Sequence, residues 1–350
     1  MTNFLVDSDK KLSILSSKLH DITEIGLDTE FIRESTYRPI LALIQISLPD
    51  GEIYLIDPLS IKKRELVGDF ICNKDLIKII HSSKQDIEAL YSFTDTYPVN
   101  IFDTQIASNF LYEKSNPGYS SLVKTICDSN IKEGSWRTNW LERPLSDKKI
   151  NYAADDVRYL IEIKKFLLEE LIKLDRVSWF NEEQERELEK SNIILNTKDA
   201  WEKINYPLYF STEDLKILKD IACWREQLAI KYNVPKRWIL SDSLVIKVML
   251  ANNKKTDDIL YNIKQQLSDS EIQIIKNILK NKNQNKIKNI TPNKDLENKY
   301  SEILNYVSDE FKIDSTIIAN KRDLEFFSHF HDKARFMKGW RYKIFGKLVQ

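Results

Sequence analysis

Residues 24–33 read EIGLDTEFIR. Ile25 and Leu27 alternate with Gly26 and Asp28, the period-two pattern of a strand, so Asp28 and Glu30 share one face of a segment leaving the core. Further strand patterns are ITEIGL (22–27), which opens this same strand, ILALIQISL (40–48), EIYLID (52–57) and IKIIHS (77–82). Asp50-Gly51, between the second and third of these, reads as a hairpin turn. Antiparallel early strands followed by strands linked through helices predict a mixed sheet in an α/β domain. From Ser146, an N-cap residue, apolar residues recur at Ile150, Ala153, Val157, Leu160, Leu167, Leu171 and Leu174. That spacing predicts one long amphipathic helix.

At 350 residues the chain accommodates two or three domains. After RVSWFNEEQERELEK (176–190) the pattern turns all-helical, and the Lys/Asn-biased stretch 276–294 reads in its later half as a linker. Cys72, Cys127 and Cys223 are far apart and form no CxxC or Cys/His pair, which argues against a zinc site or a disulfide-linked partner. The first residues lack the apolar core of a signal peptide, and no run of eighteen apolar residues occurs, so neither secretion nor membrane spanning is expected. A cytoplasmic setting follows. Net charge is zero, but residues 231–350 hold 23 Lys+Arg against 14 Asp+Glu, leaving 30 against 39 before them. An acidic front and a basic back fit chemistry at carboxylates and contact with a polyanion; scattered surface lysines are the competing reading.

Two carboxylates on one strand face repel unless something positive lies between them. A divalent ion with a taste for hard oxygen ligands, Mg²⁺ or Mn²⁺, would meet that need, and a solvated pair at a strand end is the alternative. HSSKQDIEAL puts Asp86 where a strand passes into a helix, as a first-turn acid, and FDTQIA puts Asp103 at a helix N-cap. In NYAADDV, Tyr152 and Asp156 stand four apart, on one face of the long helix beside its apolar stripe.

Asp28, Glu30, Asp86, Tyr152 and Asp156, in this order, resemble the motifs of the DEDD superfamily of 3′-to-5′ exonucleases in its tyrosine-containing branch. The likeness continues through LALIQIS, FDTQIA and NWLERPLSDKKINYAADDVRYL, although Asn139 stands where the family usually carries an acid. LKDIACWREQLAIKYNVPKRWILSDSLVIKVM resembles the helical nucleic-acid-binding (HRDC-like) domain also found in RecQ-type helicases, and TIIANKRDLEFF with FMKGWRYKIFG resembles a degenerate second copy. The resemblance implies three domains: an RNase H-like exonuclease domain over 1–195, a helical domain over 205–285 and a second over 292–350. It implies a metal-dependent exoribonuclease that trims RNA, tRNA precursor 3′ ends in particular, with two divalent ions per site. Asp28, Glu30 and Asp156 would hold one, and Asp28 would bridge to the other with Asp86 in support. Tyr152, a poor base at neutral pH, would orient the attacking water with Glu30. Thr29 and Phe31 are the expected substrate contacts, Phe31 by stacking on the terminal base or else by packing in the core. Trp224, Trp238 and Trp340 are expected in helical cores, and His81 as a satisfied buried histidine. A single-stranded DNA exonuclease and a catalytically silent RNA-binding protein are the competing functions.

Overall fold

The computed structural model describes residues 3–112, 114–131, 138–193, 197–206, 210–250, 267–280, 293–330 and 334–350. Its sheet strands are β1 (Asn3–Val6), β2 (Glu24–Ile32), β3 (Ile40–Ser47), β4 (Ile53–Ile56), β5 (Ile77–Ile80) and β6 (Ile101–Asp103). They lie in the order β1-β4-β3-β2-β5-β6. The β2–β3 and β3–β4 pairs are antiparallel, while β1–β4, β2–β5 and β5–β6 are parallel, so the sheet is mixed. Gly51 takes φ 86° in the β3–β4 turn and its N–H donates to Leu48 O, which requires the left-handed freedom of glycine. The short strands β1 and β6 lack enough alternation to be read from sequence.

Helices α1 (Asp9–Leu19), α2 (Glu65–Ile71) and α3 (Lys84–Thr94) pack on one face of the sheet over Ile25, Leu27, Ile44 and Ile46. After α4 (Thr104–Ser108) and α5 (Tyr119–Cys127), helices α6 (Asp147–Arg158) and α7 (Leu160–Lys173) cover the other face over Leu43, Leu55 and Ile79. The expected long helix is thus two helices. Ser146 does cap the first, accepting from the Lys149 N–H, but the helix breaks at Tyr159.

Two compact units emerge: Met1–Ile32, Pro39–Glu189 and Pro292–Gln350 form the first, Arg33–Arg38 and Lys190–Thr291 the second. The C-terminal residues, expected as a separate domain, therefore share a core with the sheet portion. Trp340, 1% exposed, stacks on Trp179 at 5.2 Å between ring centroids and meets Phe110 edge-on at the same separation. Arg341 reaches Glu183 at 2.6 Å, and Arg176 donates to Phe110 O and Phe311 O. Helix α8 (Val177–Ile193) supplies Trp179 and Glu183 to this junction.

In the second unit, α9 (Thr212–Tyr232), α10 (Lys236–Ile239), α11 (Asp242–Leu250) and the helix Asp269–Lys280 surround Leu218, Ile221, Trp224, Val245 and Ile275. Tyr37 belongs here: its hydroxyl donates to Glu226 at 2.7 Å and its N–H to Asn233 at 3.2 Å. The expected boundaries at 195, 285 and 292 fall outside the described residues, as does most of the 276–294 stretch.

Trp340→Ala tests whether the C-terminal residues complete the first core. Loss of the buried indole is expected to destabilise the sheet-containing unit by about 3–5 kcal/mol, seen as an earlier urea transition of the full chain. An unchanged transition would place Trp340 outside that cooperative unit.

Candidate active site

β2 supplies the centre of the site because its two faces serve different neighbours. Gly26, Asp28 and Glu30 face α6, and the close approach is visible at Gly26, where an added Cβ would lie 2.3 Å from Ser47 Oγ and 3.0 Å from Val157 O. Ser47 Oγ donates to that same Val157 carbonyl at 2.7 Å. The Ala153 and Ala154 side of α6 is buried on the sheet, and its Tyr152 and Asp156 come to the acidic pair. On the opposite face of β2, Thr29 receives α3: its hydroxyl donates to Asp86 Oδ1 at 2.5 Å and its N–H to the same oxygen at 3.1 Å.

The five expected residues therefore come together, from β2, α3 and α6. Burial and the charge of Asp156 raise the Asp28 carboxyl well above the usual carboxylate range. Burial and Asp28, Asp156 and Asp86 push Glu30 up to about 9. Asp86 is raised by burial and by Asp28, against the bonds from Thr29. Asp156 rises to about 7, through burial and the neighbouring Asp155, although a hydrogen bond from Tyr152 works the other way. Burial first, then Asp156, Glu30 and Asp28, pushes the Tyr152 phenol upward, so it stays protonated at neutral pH and acts as a donor. As they stand, no three His, Cys, Asp or Glu side chains among the described residues are arranged to hold a metal ion. In chemistry the set fits a divalent cation, being all hard oxygen donors whose mutual repulsion a cation relieves.

Surrounding contacts hold these elements in place. The Asp103 carboxylate caps α4 through Gln105 and Ile106 N–H and also accepts from the N–H groups of Ser82 and Ser83, fixing the entry to α3. Ser82 takes φ 65° there, a strained value for a residue with a side chain. Arg143 bonds Asp57 through two nitrogens, at 2.8 and 2.7 Å, and donates to Ala42 O and Trp140 O. Trp140 in turn lies 6.0 Å from the Tyr152 ring.

Other expectations sort individually. The Thr29 hydroxyl is committed to Asp86, and half-buried Phe31 packs on the core of the α1–α3 face. His81 Nδ1 lies 2.9 Å from Thr104 Oγ1. Trp224 and Trp340 are buried, but Trp238 is 48% exposed: in the short α10 its neighbour Ile239 turns inward and leaves the indole outside. No sequence motif marks Gln45. It sits opposite Asp28 across β2–β3, is fully buried, and neither amide atom has a protein partner among the described residues. A lone amide inside the apolar run ILALIQISL was the available signal.

A mixed sheet with an acidic pair on its central strand, a third acid from α3 and a Tyr/Asp pair from α6 defines the class: a 3′-5′ exonuclease. The model of the 3′-5′ exonuclease family matches residues 3–172. Ribonuclease D of Bartonella henselae is 31% identical, with 99% of this chain and 89% of that protein covered. Ribonuclease D of Desulfotalea psychrophila is 33% identical over 70% of this chain and 66% of its own length. The crystal structure of Escherichia coli RNase D, described as an exoribonuclease involved in structured RNA processing, superposes with a TM-score of 0.78 at 23% identity, covering 100% of this chain and 98% of that one. The chain belongs to the ribonuclease D family, a family of 3′-5′ exoribonucleases. Divalent-metal dependence goes with that family. Among the described residues no helix is long and apolar enough to cross a membrane.

The raised carboxyls make stability depend on pH with a definite sign. Their folded pKa values lie above the unfolded ones, so between about pH 4 and the folded values the native state binds more protons and loses stability as pH rises. In EDTA, raising the pH from 5 to 8 is expected to lower the urea midpoint. Asp28→Asn should flatten that slope and gain about 1–2 kcal/mol at pH 8. A parallel pH dependence in both proteins would mean that the acids do not feel one another.

Proposed function

We propose that this chain removes nucleoside 5′-monophosphates stepwise from RNA 3′ ends in the cytoplasm, with tRNA precursors as its natural substrates. The observation that carries the reading is the meeting of three elements: Asp28 and Glu30 on one face of β2, Asp86 of α3 bonded to Thr29 between them, and Tyr152 with Asp156 on the α6 helix that packs on that strand. Asp28, Glu30 and Asp156 would hold one Mg²⁺ or Mn²⁺, and Asp28 with Asp86 a second. When bound, such a pair supplies a water made nucleophilic at neutral pH and charge stabilisation for the scissile phosphate and the leaving 3′ oxygen.

The remaining work falls to the protein. Tyr152, held protonated, would turn its one O–H from Asp156 to the attacking water once Asp156 holds an ion, and Glu30 would accept from the same water. Thr29 keeps Asp86 at the strand end through two hydrogen bonds. Phe31 would contact the terminal base from the end of β2, beyond the bulge between Glu30 and Phe31. In the second unit, exposed Trp238 beside Lys236 and Arg237 offers a ring for base stacking next to cations for phosphate, a pairing that suits single-stranded RNA.

Matched RNA and DNA oligomers labelled at the 5′ or the 3′ end, with Mg²⁺, Mn²⁺ or EDTA, test the proposal alongside Glu30→Gln. Expected is a metal-dependent ladder shortening from the 3′ end of RNA, slower on DNA, and reduced about 10²-fold or more in the variant. A tRNA precursor with extra 3′ nucleotides should be shortened to a discrete product. Equal or faster cleavage of DNA would move the substrate to single-stranded DNA. Binding of RNA without cleavage would make the chain a non-catalytic RNA-binding protein.

A further inference from the structure

We propose that Tyr119 is a positioning residue of the nuclease site: its hydroxyl replaces one backbone hydrogen bond of the helix and so sets the turn that carries Asp156. The inference rests on the reading of Asp156 as a carboxylate that holds a catalytic ion.

In an uninterrupted helix the N–H of residue 159 donates to the C=O of residue 155. Here neither group meets the other. The Tyr159 N–H donates to the Tyr119 hydroxyl at 3.1 Å, and that hydroxyl donates to Asp155 O, also at 3.1 Å. The phenol is thereby satisfied as acceptor and as donor, which is why it can stand inside the ladder. A side chain inserted into the i→i−4 ladder is a recognised cause of a kink, and Tyr159, at φ −106° and ψ 0°, is where α6 ends and α7 begins.

Asp156 lies between two carbonyls gripped from outside the helix. Asp155 O accepts from Tyr119 and Val157 O accepts from Ser47 on β3. The turn is thus referenced both to the sheet, which carries Asp28 and Glu30, and to α5, of which Tyr119 is the first residue. The Tyr119 ring packs 5.8 Å from His81, on the loop that leads to Asp86. The charges of Asp156 and Asp28 reach the hydroxyl, which places it at the edge of the acidic cluster. Without the hydroxyl, either the ladder heals, which turns Asp156 about the helix axis, or Asp155 O loses this donor and the Tyr159 N–H keeps only Val157 O. Both outcomes move Asp156 relative to Asp28.

The test compares the full chain with Tyr119→Phe and Tyr119→Leu in three measurements: Mn²⁺ binding without RNA by electron paramagnetic resonance, kcat and KM on a 5′-labelled RNA, and melting temperature in EDTA. For Tyr119→Phe, Mn²⁺ affinity and kcat are expected to fall about tenfold each, with KM within about twofold and little change in melting temperature. Tyr119→Leu should match it in kcat while melting lower, because it loses the ring as well. Wild-type Mn²⁺ affinity and kcat in Tyr119→Phe would overturn the inference. So would a loss in Tyr119→Leu that far exceeds the loss in Tyr119→Phe, since the effect would then lie in packing. A wild-type chain that neither binds Mn²⁺ nor cleaves would overturn the nuclease reading itself, and this inference with it.

Discussion

Like charges crowded at the end of a buried strand oppose one another, and much of the first unit is arranged to hold them there. Asp28 and Glu30 have no choice of direction, because β2 is paired with β3 from Gly26 to Ile32, with β5 only from Glu24 to Gly26, and its alternation is set by the core residues Ile25 and Leu27. Asp86 is tied to Thr29, Asp156 sits on a helix turn gripped at both neighbouring carbonyls, and Asp103 fixes the loop before α3. Each restraint acts on backbone or on a hydrogen-bond partner of fixed geometry. Local stability is given up at such a site and recovered in the cores on either side of the sheet.

The acids were legible in the sequence because their positions follow from short-range periodicity. A spacing of two on a strand and of four on a helix each assign a face, and a first-turn acid is marked by the strand-to-helix change before it. What brings the three elements together is not periodic, so it took the ordered resemblance to an exonuclease family to join them. The helix break shows the limit well. Nothing near Tyr159 is a glycine or proline, and the group that interrupts the ladder is Tyr119, forty positions earlier. Gln45 escaped notice for a related reason: within an apolar run, pattern alone does not say which strand it will oppose.

Domain division was harder still. Trp340 and Arg341 lie in a helical pattern that would suit a separate small domain, and no local feature reveals that their partners are Phe110, Trp179 and Glu183. The acidic front and basic back of the chain also fail to coincide with the two units, since the sheet-containing unit includes residues from both. Trp238 is the reverse case. Its pattern is that of another core aromatic, yet a helix of four residues has room to bury only one side.

The partition of the first unit into separated stretches of chain also imposes an order of assembly. Residues 190–291 intervene between the strands and the C-terminal residues that close the same core, ending with buried Phe345 and Val349. During synthesis all four acids have left the ribosome long before Trp340 exists to pack on Trp179. The helical unit has its whole sequence available first, while the sheet unit waits with part of its apolar surface uncovered. A nascent chain that stops short of Trp340 lacks the layer that packs on Phe110 and Trp179, so the core around the acids closes only after the intervening helical unit has been made.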